Sequence, residues 1–171
     1  MVTVHLFCGL PGSGKTTLAR KIERDREAFR FTLDERMLER YGLTIFDEQY
    51  GKLARAEKAT IWDEAKIVLE SGRDVILDWS LWSRRARAEW VNRVLAAGYR
   101  YKLVYLEVPL PILLKRLAAR NIARPPGVHE ISLDEMHNFS QVFEPPVPDE
   151  DLSFETVTAD SQQSDATDRG I

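Results

Sequence analysis

A single cysteine, Cys8, stands in the 171 residues, which rules out a disulfide within the chain. It closes a run of apolar residues and reads as a small apolar side chain at the end of a buried strand. That leading run, Val2–Cys8, is too short for a signal or membrane segment and is broken at once by a glycine-rich turn. The expectation is a cytoplasmic protein with no membrane partner. No repeat, heptad seam or low-complexity core segment is found. A strong basic surplus is also missing. The formal net charge is −3, and residues 149–171 hold seven acids against Arg169 alone, which leaves only +3 on the rest. A mildly basic body suits phosphate handling but falls short of the footprint of a nucleic-acid binder. The expected organisation is one domain over 1–157 and an acidic, disordered tail over 158–171, where large apolar residues are nearly absent.

What is present begins with Gly9-Leu10-Pro11-Gly12-Ser13-Gly14-Lys15-Thr16. A glycine, four free positions and Gly-Lys-Thr is the pattern of a phosphate-binding loop. An apolar strand precedes it and a helical stretch from Thr16 to Arg26 follows. Glycines let backbone N–H groups surround a phosphate, and the helix N-terminus adds a favourable dipole. In this reading Gly9 to Thr17 hold a nucleoside triphosphate, Lys15 reaches the β- and γ-phosphates, and the Thr16 hydroxyl sits on Mg²⁺. A chance Gly-rich turn is the weaker alternative.

Strand and helix patterns then alternate. Phe29–Leu33 reads as a strand ending at Asp34, followed by helix over 35–41, and Phe46–Ser71 reads as one long helix. Val75–Asp78 is a strand, Ser83–Ala97 an amphipathic helix, Tyr101–Val108 a strand and Leu110–Asn121 a helix. Ser132 to Glu135 has capping-box spacing, so a helix is expected over 133–143. Phe154–Val157 suits a fifth strand. The order implies an α/β domain with a parallel sheet, whose ligands gather at the carboxyl ends of the strands. The phosphate loop, Asp34 and Asp78 should therefore converge.

Asp34 is suited to take a proton from an acceptor hydroxyl, or to N-cap the helix after it. Asp78 ends its strand as a metal-side aspartate does; holding the acceptor, or capping the Ser80/Ser83 turn, are the other readings. Arg116, Arg120 and Arg124 are spaced by four and form one basic line on a continuing helix. Running into Pro125-Pro126-Gly127, that line suits a lid whose arginines neutralise charge on the phosphates. Trp79 and Trp82 flank Ser80 and are read either as core or as walls of an acceptor pocket.

Together these residues resemble the small P-loop kinases grouped as AAA-type ATP-binding kinases. That group lies close to polynucleotide 5′-hydroxyl kinases, chloramphenicol phosphotransferases and zeta-toxin kinases. The likeness covers residues 2–148 and is carried by Gly9–Thr17, Thr32–Glu35, Val75–Asp78 with Ser83-Arg84, and Leu113–Arg124. It implies a three-layer P-loop NTPase sandwich of about five parallel strands with a helical lid. It also implies ATP with Mg²⁺, a base at Asp34, and lid arginines at Arg116 and Arg120. In the polynucleotide kinases an arginine stands three residues after the base, where this chain has Met37.

The expected function is transfer of the γ-phosphoryl group of ATP to a hydroxyl of a small molecule. Lys15, Asp34, Arg116 and Arg120 are the catalytic candidates, Thr16 and Asp78 hold the metal, and Asp34, Asp78, Trp79 and Trp82 face the acceptor. Phosphorylation of an oligonucleotide 5′-hydroxyl is the second reading. A non-catalytic ATP-binding switch is the third.

Overall fold

The computed structural model describes residues 2–123 and 130–159. Five parallel strands form one sheet: β1 Thr3–Cys8, β2 Phe29–Thr32, β3 Val75–Ser80, β4 Arg100–Glu107 and β5 Phe154–Thr158, in the order β2-β3-β1-β4-β5. β5 runs to Thr158, one residue past the predicted end of the domain. The helices are α1 Lys15–Arg26, α2 Leu33–Tyr41, α3 Tyr50–Glu70, α4 Arg84–Ala96, α5 Leu110–Ala123 and α6 Leu133–Val142, with a short 3₁₀ turn at Pro148–Glu150. Every crossover carries a helix, as parallel pairing requires. No helix among the described residues is long and apolar enough to cross a membrane.

The central strands are buried on both faces, which is why they read as continuous apolar runs. Side chains alternate between the layers. On β1, Val4, Leu6 and Cys8 join a core with Leu33 and Met37 of α2, Ile61 and Ala65 of α3, and Trp90 and Val94 of α4. Phe7 and Ile76 face the other way, against Ala19 and Leu18 of α1. A third cluster, Leu113, Leu117, Ile131 and Met136, packs α5 on α6 and takes in Leu10 of the loop after β1. These make a three-layer α/β sandwich.

Two element starts differ from the pattern by more than one residue. α3 begins at Tyr50, four residues later than the apolar periodicity predicts. The Asp47 carboxylate accepts bonds from the Thr44 backbone N–H and hydroxyl at 2.6 and 2.9 Å. This local turn satisfies groups that a helix would otherwise use. α2 begins at Leu33, two residues early, with Thr32 in the N-cap position. Asp34 therefore lies inside the first helical turn, and the cap reading of that residue is replaced. Ser132 and Glu135 do form the predicted capping box at the start of α6.

Candidate active site

The loop between β1 and α1 has the shape its glycines require. Gly9 has φ 149° and Gly12 φ 80°. A Cβ at Gly9 would lie 2.8 Å from Ser13 Oγ and 2.9 Å from the Leu106 carbonyl, so no larger residue fits without moving backbone. Two bonds from Ser80 also hold Gly9. Its hydroxyl donates to the Gly9 carbonyl at 2.8 Å and lies 3.2 Å from the Gly9 N–H. Ser80 reaches that position because the β1–β3 register slips between His5 and Phe7, pairing Phe7 with Ser80.

Lys15 folds back over the loop and donates to the Gly9 and Leu10 carbonyls, both at 2.9 Å. Burial pushes its pKa down to about 8, against the opposing pull of Asp78 and Asp34 and with further lowering from Arg120. An ammonium held by two neutral carbonyls and the Ser13 hydroxyl can trade them for phosphate oxygens. Beside it, Thr16 Oγ1 donates to Asp78 Oδ1 at 3.3 Å. Asp78 is buried at the end of β3, and its other oxygen takes Arg30 Nη1 at 3.0 Å. Burial raises the Asp78 pKa, while Arg30, Lys15 and Thr16 pull it down. Arg30 is itself shared with Thr32, Glu23 and Glu35. Asp78 makes none of the bonds to a Ser80/Ser83 turn that a cap needs; Ser83 itself caps α4 through the Ala86 N–H. A hydroxyl and a carboxylate meeting at the phosphate loop form a hard-oxygen pair suited to Mg²⁺.

Asp34 is exposed in the first turn of α2, just past the end of β2. Its carboxylate accepts from the Tyr50 hydroxyl at 2.7 Å, and its charge reaches both Lys15 and Lys58. The Tyr50 pKa is raised by burial and by that carboxylate. Lys58, two turns further along α3, lies 5.5 Å above the Trp79 ring. Trp79 faces the layer opposite Asp78 and stacks edgewise on Trp90 at 5.1 Å. Trp82 turns elsewhere and packs on Phe139 of α6 at 5.1 Å. The two indoles thus pack against different elements and do not form a common wall.

Arg116 reaches the phosphate loop from α5, with Nη1 3.4 Å from the Gly12 carbonyl and 3.5 Å from that of Ser13. Arg120, one turn on, is close enough to Lys15 to act on its charge, and burial lowers its own pKa. Arg124 lies outside the described residues. Four residues of this region carry no motif: Ser80, Arg30, Tyr50 and Lys58. Only β-strand alternation, which points Arg30 and Asp78 to the same side of neighbouring strands, hints at any of them. Elsewhere, Cys8 is buried, with a pKa pushed up to about 11 by burial, and His5 is buried and 3.5 Å from Asp74. Among the described residues, no three His, Cys, Asp or Glu side chains gather as a metal cluster.

A family model described as AAA domain matches residues 4–146. Among solved structures, a putative kinase from Chloroflexus aurantiacus superposes with TM-score 0.72 at 18% identity, over 95% of this chain and 87% of that one. Kti12 from Chaetomium thermophilum, solved with ADP-AlF3, gives 0.67 at 17% identity over 98% of both chains. The APS kinase CysC of Mycobacterium tuberculosis, solved with AMPPNP and APS, gives 0.60 at 17% identity over 97% and 95%. At such identities the likeness is one of fold. It is the P-loop NTPase α/β fold in each case.

Proposed function

The chain belongs to the AAA domain family, and on that premise we propose that it is an ATP-dependent phosphotransferase acting on a hydroxyl of a small molecule. The observation that carries this reading is the position of Asp34. It is an exposed carboxylate in the turn of helix that follows β2, near enough to act on the charge of the phosphate-loop lysine. A module that only binds nucleotide has no use for a carboxylate there.

In this reading Lys15 exchanges the Gly9 and Leu10 carbonyls for the β- and γ-phosphate oxygens of ATP. The loop amides and the N-terminus of α1 complete the cradle. Thr16 and Asp78 would hold Mg²⁺, which would neutralise charge on the phosphate oxygens. Arg116 and Arg120 add positive charge from the α5 side. Asp34 orients the acceptor hydroxyl and takes its proton, with Tyr50 fixing the carboxylate. A carboxylate suffices because the transition state of phosphoryl transfer is loose and positioning outweighs basicity. The acceptor oxygen bonds to the γ-phosphorus, the bond to the β-phosphate oxygen breaks, and ADP leaves.

The test is transfer of labelled γ-phosphate to nucleosides, sugars, aminoglycosides, chloramphenicol and 5′-hydroxyl oligonucleotides. Asp34→Asn is expected to keep ATP binding and lose about a hundredfold or more of transfer. Wild-type transfer in that variant removes Asp34 as the base. ATP binding by the wild-type protein with transfer to no acceptor assigns the chain to the nucleotide-binding switches instead. Labelling of oligonucleotides alone replaces the small acceptor with a polymer.

A further inference from the structure

The half-buried cations of this protein are mostly matched to carboxylates. Arg30 takes Asp78, Arg36 takes Glu64 at 2.7 Å, and the fully buried Arg87 takes Glu150. Lys58 is different. It is half-buried on α3, and among the described residues no carboxylate lies within 4.0 Å of its ammonium. Its close neighbour is the face of Trp79. Asp34 and Glu89 attract it only at longer range, and burial lowers its pKa despite them. Of the two, Asp34 is already engaged by Tyr50. Beneath the ammonium, Trp79 is only 7% exposed and its Nε1–H has no hydrogen-bond partner. The Lys58 ammonium, without a carboxylate, thus lies over the face of the Trp79 ring and within electrostatic reach of Asp34.

Desolvating an ammonium is costly unless an anion comes to it, and a buried donor without a partner carries a similar cost. Lys15 is the precedent within this molecule, since it too is held by neutral groups and, in the reading above, waits for a phosphate. We propose that Lys58, with the indole of Trp79, is the acceptor-recognition cation, and that the acceptor is an alcohol bearing an oxyanion. Phosphate ester, sulfate and carboxylate share the chemistry required, a negatively charged oxygen that takes the ammonium. The acceptor hydroxyl then faces Asp34, loses its proton there and gains the phosphoryl group from ATP, with ADP released. This rests on the phosphotransferase reading and names its substrate class.

The experiment compares matched alcohols: glycerol with glycerol 3-phosphate, glucose with gluconate, and glucose with glucose 6-sulfate. Wild-type protein is expected to favour the anionic member of at least one pair, and which pair responds identifies the oxyanion. In Lys58→Met the KM for that acceptor rises about tenfold or more, the preference over the neutral partner collapses, and the KM for ATP moves less than about twofold. Lys58→Arg restores part of the preference. Trp79→Phe, which keeps a ring and removes the N–H, raises KM by a smaller factor. Equal preference in wild type and Lys58→Met, or an equal loss on charged and neutral alcohols, overturns the proposal.

If no alcohol accepts label, the phosphotransferase reading fails and the anion site is read separately. Inorganic phosphate, sulfate and glycerol 3-phosphate are titrated by calorimetry with a non-hydrolysable ATP analogue present. Binding to wild type that weakens about tenfold in Lys58→Met upholds the site. Absence of binding to wild type, or equal binding to both, overturns it. Lys58→Gln, a smaller change in polarity, replaces the Met variant if thermal melting finds that variant unfolded.

Discussion

The Thr16 hydroxyl and the Asp78 carboxylate meet at 3.3 Å, although 62 positions separate them in the chain. Their contact ties the first turn of α1 to β3 and, in the proposed reading, forms the metal-side half of the site. Asp78→Asn keeps a hydrogen-bonding oxygen but removes the charge that Mg²⁺ and Arg30 both use. Transfer is expected to fall about a hundredfold or more, with a raised Mg²⁺ requirement. A Mg²⁺ titration of activity checks it, and an unchanged requirement removes Asp78 from the metal side.

Ser80 holds both polar backbone groups of Gly9. Ser80→Ala leaves them without that partner at a part-buried position, and a loss of about 1–2 kcal/mol of stability is expected. The KM for ATP should rise as the loop loosens. Denaturant unfolding and steady-state kinetics read the two effects separately.

Lys15 sets a pH dependence. Its folded pKa is lowered by burial to about 8, against about 10.4 for an unburied lysine. Between those values the unfolded chain binds more protons at this residue than the folded one. Stability from this group therefore increases as pH rises through that window, and below pH 8 its cost is fully present. Lys15→Met should make the nucleotide-free protein more stable than wild type at pH 7, with the difference shrinking toward pH 10. Nucleotide binding near pH 9 should take up a proton. Calorimetry in buffers of different ionisation enthalpy measures that uptake, and proton release would contradict the assignment.

Arg87 and Glu150 form a buried pair in which Arg87 Nε donates to Glu150 Oε2 at 2.7 Å. Arg87 also donates to the Glu144, Leu81 and Trp82 carbonyls. The segment after α6 is thereby fastened to the end of β3. Glu150→Ala leaves a guanidinium buried without its carboxylate, and about 3–5 kcal/mol of stability should be lost. The Glu150 pKa is held down, chiefly by Arg87, so wild-type stability should decline as pH falls through the carboxylate range. That decline should be smaller in the Ala variant. Unfolding midpoints across pH check both.

Tyr50→Phe removes the bond to Asp34 and leaves the ring in place. A loss of about tenfold in transfer is expected, with ATP binding unchanged. A fall as large as that of Asp34→Asn would make the hydroxyl itself an essential group.

The phosphate loop could be read directly because all its requirements are local: glycines at positive φ, a strand before and a helix after. The strands were visible for a similar reason, since burial on both faces writes an unbroken apolar run. α3 was read too long because Thr44 and Asp47 close a turn that periodicity does not register. Asp34, read as a base, was also open to a cap reading because the pattern placed the start of α2 two residues late. For Trp79 and Trp82, three apart, spacing left core and acceptor wall equally open; Trp79 packs in the sheet core and Trp82 on α6.

By itself the sequence determined the α/β alternation, the shape of the loop over Gly9–Thr16 and the presence of aspartates near the carboxyl ends of two strands. Each depends on neighbours within a few residues. Tertiary structure alone decided that Ser80 holds Gly9, because a register slip between two strands carries it there. It alone decided that Asp78 meets Thr16 and Arg30, and that Lys58 covers Trp79 beside Asp34. These contacts join residues from 21 to 71 positions apart, and no local pattern encodes a partner at that range.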